Sequence, residues 1–198
     1  IRDSYRAGFG PEMWPLAGEN FCQAMNIGIK DTTLGYAMDR DCPYFRRFEK
    51  VFPGLRVPFG ALIHFVPSKK WQQKNCARAE SNAIPGLFLG WVFGDEGKFK
   101  TKYLVCLLDD FKAGVGKPKN NQLHALVTPD IVSDVNQVDW SFPLYEARLK
   151  YKHSIHTPTP LTNCDLKIFI EQDDESGNPL GWYEMGGSVG LAESPNHM

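Results

Sequence analysis

Long apolar runs are missing from this chain. No stretch approaches the roughly 20 residues that a bilayer-spanning helix needs, and the two longest candidates, residues 86–93 and 103–108, have the length of strands. Paired cysteine motifs are missing too. The five cysteines, Cys22, Cys42, Cys76, Cys106 and Cys164, contain no C-x-x-C pair, which argues against a zinc knuckle or a thioredoxin-type centre. Their odd number and wide spacing read as reduced thiols of an intracellular protein, several of them buried as small apolar groups. No basic segment leads into an apolar core with a cleavage site, so no signal peptide is read. The first residue is Ile1 rather than Met, which reads as a piece of a longer product. A phosphate loop is also lacking, because Gly116-Lys117 is followed by Pro118 where Ser or Thr is required.

What is present is ordinary for a folded domain. With 198 residues, 42% hydrophobic and 23% charged, the chain suits one domain, or one plus part of a second. This composition rules out a disordered tail, a collagen-like rod and a coiled coil as the character of the chain, though residues 186–198 read as a frayed end. Eighteen glycines and 14 prolines point to many turns and short elements. The net charge of −1 conceals an asymmetry: residues 1–50 are neutral, 51–120 carry +6 and 121–198 carry −7. A basic middle beside an acidic end suggests a phosphate-bearing partner for the former. A solvated basic face without a partner is the plain alternative.

The periodicity gives the elements. Residues 12–27 read as a helix whose Trp14, Ala17, Phe21, Ala24 and Met25 form a 3.6-residue stripe for core packing, with Pro11 at its start and Gly28 at its stop. Residues 29–56 read as a connector. Strands are expected at 58–67, 84–93 and 101–110, with one or two more in 124–135 broken at Pro129. The loop 94–100 makes a hairpin of the second and third. A short helix is expected over 144–151, and a terminal hairpin from 166–172 and 180–185. The fold class expected is mainly β: a small antiparallel SH3-like barrel with an N-terminal helical segment and a C-terminal hairpin extension. The divisions are 1–53, 54–140 and 141–198.

Several motifs carry no chemistry. His153 and His156 could share one helical turn, but Pro158 and Pro160 follow and no further ligand stands nearby. Asp109 and Asp110 are adjacent in a strand reading and point to opposite faces. Residues 173–175 lack the EF-hand pattern, and Ser188 lacks the setting of a nucleophile elbow. No catalytic residue, metal ligand or cofactor is expected. Cations are better placed for a role. Lys69, Lys70, Lys74 and Arg78 fall in one loop, Lys98, Lys100 and Lys102 in another, and Lys112, Lys117 and Lys119 in a third. Gathered on one rim, they would neutralise phosphates without reading bases, with Trp71 and Phe99 stacking on exposed bases or, as the plainer alternative, packing at the base of their loops.

The order of these segments resembles part of a copia-type retrotransposon polyprotein, from the end of the integrase catalytic core into the SH3-like domain after it. Gly10, Trp14, Ala17 and Asn26 stand where that family carries the last helix of its RNase H-like core. Pro43-Tyr44 and Pro58-Phe59-Gly60 match the family's "P-Y" and "FG" elements. Gly86-Leu87-Phe88-Leu89-Gly90-Trp91 matches its next strand, with Trp for the usual Tyr, and residues 127–135 match its closing strand loosely. The likeness covers roughly residues 5–140. It implies an integrase origin, DNA integration within a larger polyprotein, contact with other integrase subunits, and an intracellular, nuclear setting. It does not imply strand transfer here, since the family's Asp, Asp and Glu, which hold two Mg²⁺ ions, lie upstream of the matched helix. The expected role is a non-catalytic nucleic-acid-binding or assembly module. The alternatives are a protein-interaction module using Trp91, Phe93 and Tyr103 on an exposed face, or a decayed fragment without autonomous function.

Overall fold

The computed structural model describes residues 7–28, 42–69, 71–72, 83–111, 122–132 and 139–150, together with the backbone of strands at 167–171 and 182–184. A 3₁₀ turn at Pro11–Met13 leads into helix α1 (Trp14–Asn26), and α2 is Pro43–Phe48. The strands are β1 (Leu62–Phe65), β2 (Ile84–Phe93), β3 (Phe99–Leu107), β4 (Gln122–Thr128) and β5 (Ile131–Val132). Helix α3 (Pro143–Lys150) follows, then β6 (Lys167–Glu171) and β7 (Trp182–Glu184).

The protein is mainly β. Its strand order is β5-β1-β2-β3-β4-β6-β7. The first five strands are antiparallel to their neighbours. β6 then joins β4 in parallel, and β7 returns antiparallel to β6. Among the described residues the sheet is not closed, and β5 and β7 are its two edges. Only Pro129 and Asp130 separate β4 from β5, so the chain crosses directly from one side of the five-stranded sheet to the other. Thr128 Oγ1 donates to Val66 O at 2.8 Å and Val66 N–H donates to Asp130 O at 3.1 Å, tying that crossing to the end of β1. The expected first strand is shorter than residues 58–67, because Ala61 N–H donates to Pro58 O in a turn (3.1 Å) before the ladder begins.

A β-bulge organises the long central strand. Phe88 faces Val105 and Gly90 faces Leu104, so Leu89 has no opposite number. One extra residue inverts the alternation of a strand. Leu87 and Leu89 therefore face one core, while Phe88 and, beyond the bulge, Trp91 face the other.

The two cores differ in kind. On one face, Leu16 and Ala17 of α1 pack with Phe9, Met13, Phe59, Leu87, Leu89, Cys106, Leu123, Ala125 and Leu144. On the other, Tyr44, Phe52, Val57, Ile63, Phe65, Phe88, Trp91, Phe99 and Tyr103 make an aromatic cluster. Residues from all three expected segments thus share cores: Phe9 lies on Phe59 with ring centroids 5.0 Å apart, and Leu144 joins the same group.

Helix α1 corrects one expectation. Of the expected stripe, Ala17 is buried, beside Leu16 and Asn20, and Ala24 is half-buried, while Trp14, Phe21 and Met25 are 43, 53 and 50% exposed. The helix is turned by roughly a quarter of a circle from the reading that used apolar spacing alone. The bulge supplies the reason. Asn20 Nδ2 donates to Leu89 O at 3.1 Å, and Trp91 N–H donates to Gln23 Oε1 at 3.1 Å. Buried backbone groups need partners, and Asn20 and Gln23 must face the sheet to supply them. Gly90 lets the helix come this close, since a Cβ there would stand 3.1 Å from Gln23 Oε1.

Candidate polyanion-binding surface

The eight residues marked by sequence divide into three groups. Lys70, Lys74 and Arg78 lie outside the described residues, as do Lys112, Lys117, Lys119 and the His153–His156 pair. Lys69 and Trp71 follow β1 on a short turn. There Ser68 Oγ accepts from Trp71 N–H (3.3 Å) and Ser68 O accepts from Gln72 N–H (2.9 Å), a capping arrangement for a first helical turn. Lys69 is exposed, whereas Trp71 is half-buried against the aromatic core.

Lys98, Lys100 and Lys102 belong to the β2–β3 hairpin. Its turn is closed by Gly97 N–H donating to Gly94 O at 2.8 Å and Gly94 N–H donating to Lys98 O at 2.9 Å. Gly97 has φ +72°, a conformation that suits glycine. Thr101 also has a positive φ, +55°, at the irregularity where pairing shifts between Val92 and Phe93. Lys98, in the turn, and Lys100 and Thr101, at the irregular start of β3, are exposed, Phe99 and Tyr103 are buried, and Lys102 is half-buried. Lys69 and the hairpin lysines are carried by separate connections of the sheet, so the described cations do not derive from one loop.

The aromatic residues take structural roles. Phe99 lies between the rings of Phe52 (4.8 Å between centroids) and Tyr103 (5.5 Å) and is 7% exposed. It is not open to stack on a base. Nor do Trp91 and Tyr103 form an exposed interaction face. Trp91 Nε1 donates to Leu55 O at 2.8 Å, and Leu55 N–H donates to the Tyr103 hydroxyl at 3.0 Å. These side chains hold the irregular segment before β1, and Phe93 is half-buried beside them. Sequence periodicity missed this because the Leu89 bulge changes which face residues beyond it occupy.

An arginine that sequence reading did not assign, Arg47, stands beside the hairpin. Arg46 and Arg47 occupy the last turn of α2, a helix capped by Cys42, whose Sγ accepts from Phe45 N–H at 3.4 Å. The Arg47 guanidinium carbon lies 5.4 Å from the centroid of the Phe48 ring. Its Nη1 is 3.3 Å from where a Cβ on Gly97 would stand. The signal available was the doublet Arg46-Arg47 itself; its neighbour in space is 50 residues away in the chain.

The perturbed acid–base groups among the described residues are buried ones, Cys106 and Tyr103. Burial pushes the Cys106 thiol well above its usual range, and the nearby Asp110 carboxylate adds to this. Burial also raises Tyr103, partly offset by the Leu55 N–H. Both shifts favour neutral forms and fit packed interior groups. No group of three His, Cys, Asp or Glu side chains placed to hold a metal occurs among the described residues. No described helix is long and apolar enough to cross a membrane. Comparison with protein-family models, curated proteins and solved structures returns no match to this chain.

Proposed function

We propose that the chain is a non-catalytic, sequence-nonspecific nucleic-acid-binding or assembly module, of SH3-like type and retrotransposon integrase origin. The observation that carries the binding role is the split where the hairpin turn enters β3: Lys98 and Lys100 are exposed while Phe99 and Tyr103 are consumed by the core. A surface that offers ammonium groups without open rings meets the phosphate backbone rather than the bases. The SH3-like reading is supported by the five-stranded antiparallel order and by the passage of β4 through Pro129 and Asp130 into β5 beside β1. The integrase origin rests on the segment resemblance alone.

The test is binding to a random-sequence duplex over a salt series. If Lys69, Lys98, Lys100 and Lys102 each neutralise one phosphate, log K falls against log salt with a slope of roughly −3 to −4. A slope near zero, or no binding at low salt, removes the phosphate role.

One observation favours the assembly side of this reading. Trp14, Phe21 and Met25 make an exposed apolar stripe on α1, a feature associated with partner contact. Self-association that persists at high salt, and is lost when all three become serine, would assign that stripe to assembly.

A further inference from the structure

We propose that Arg47 is a phosphate-binding residue, acting with Lys98 and Lys100 as one anion site at the closed end of the β2–β3 hairpin, and that its partner is the phosphodiester backbone of a nucleic acid. The proposal rests on the nucleic-acid reading above and names a residue and a place for it.

Two placements define the site. Arg47 Nη1 stands 3.3 Å from the Cβ position of Gly97, and Lys100 Cε stands 3.0 Å from that of Gly94. Gly94 and Gly97 are the first and last residues of one tight turn, whose Cα atoms are at most about 7 Å apart. Two cations from different elements therefore flank a single turn, with Lys98 exposed next to it.

The contact with Phe48 gives Arg47 a distinct role. A guanidinium held against a ring uses its face and keeps its in-plane N–H donors free, and these match two oxygens of a phosphate. Stacking also reduces the side-chain freedom lost on binding. Opposing charges are close: Asp95 and Glu96 lie in the turn and Glu49 follows α2, all exposed. They weaken the long-range field. The site therefore favours a polyanion that reaches Arg47 and Lys100 at close range over a monoanion attracted from a distance.

The test uses the whole chain, with two readouts. One is the anisotropy of a fluorescein-labelled random duplex over a salt series. The other follows the Arg47 Nε–H and Gly97 amide NMR signals during titration with inorganic pyrophosphate. Arg47→Ala is expected to weaken duplex binding about five- to tenfold at low salt and to reduce the salt slope by about 1. Arg47→Lys restores the slope but only part of the affinity. Lys69→Ala leaves the pyrophosphate response of Gly97 intact. Unchanged thermal melts establish that the variants fold. If the wild type binds duplex and Arg47→Ala changes neither affinity nor slope, this inference is overturned while the general reading stands. If pyrophosphate moves both signals but no duplex binds, the anion site stands and nucleic acid is removed as its partner. Signals that stay still overturn the site itself.

Discussion

The two faces of the sheet solve the same problem in opposite directions. Under α1, the sheet backbone is irregular, and the covering helix supplies polar side chains: Asn20 and Gln23 meet Leu89 O and Trp91 N–H. On the aromatic face, the covering chain is irregular, and the sheet supplies the side chains: Trp91 and Tyr103 grip the two peptide groups of Leu55. Regular structure on one side satisfies irregular structure on the other, and the direction is set by which partner has broken its ladder. An element's orientation then follows from where unpaired peptide groups lie, as well as from its apolar stripe.

The largest effect should come from removing the ring at the centre of the aromatic face. Phe52 packs against Tyr44, Trp91, Phe93 and Phe99, and Phe52→Ala should cost about 3–5 kcal/mol in urea unfolding. A loss below about 1 kcal/mol would show that the covering segment is not held by its rings. Next, Asn20→Ala leaves Leu89 O buried without that donor and should cost about 1–3 kcal/mol, whereas Tyr103→Phe, at a partly buried bond, should cost about 0.5–1.5 kcal/mol. The double variant should be additive to within about 0.5 kcal/mol, because the two bonds share no partner and lie on opposite faces. Stronger coupling would mean that the faces are not independent.

A pH measurement tests the helix-covered core through Cys106. Cys106 has a folded pKa above its unfolded value, so the folded state binds the proton more tightly. Its contribution is complete below the ordinary thiol pKa and is lost as pH rises through and beyond it. Unfolding free energy should therefore begin to fall above about pH 8.5, and Cys106→Ala should flatten that dependence relative to wild type, whatever its cost at neutral pH. Tyr103 acts in the same direction at higher pH, and Tyr103→Phe separates the two. The smallest effect belongs to the outer stripe of α1: serine at Trp14, Phe21 or Met25 should each change stability by no more than about 0.5 kcal/mol, measured by thermal melt. A larger change would mean that these side chains are covered.

Much of the element order was legible in the sequence. The Gly86-to-Trp91 segment, the glycines of the hairpin turn and the interruption at Pro129 gave β2, β3, β4 and β5 close to their observed limits. The C-terminal hairpin was also recoverable from its two apolar runs. The rotation of α1 was not, since apolar spacing favours Trp14, Phe21 and Met25 and nothing local announces a bulge 70 residues later. Helix α2 was hidden inside an apparent connector because six residues are too few for a periodic signal. The parallel union of β4 with β6 could not be read either, because register between distant strands depends on the whole sheet. For the candidate surface, the lysines of the hairpin were found from composition. The neighbouring Arg47 was missed because only folding brings it to Gly97.

That parallel union also governs when the protein is vulnerable. β4 ends at Thr128 and the strand that covers its outer edge begins at Lys167. A ribosome adding roughly 5–20 residues per second needs some seconds to bridge that gap. Throughout the interval β4 presents unsatisfied peptide groups to any neighbouring nascent chain, and a chain cut after Lys150 would present them permanently. The late arrival of the C-terminal strands thus moves the open edge from the seven-residue β4 to the three-residue β7, a shorter template for pairing with another copy.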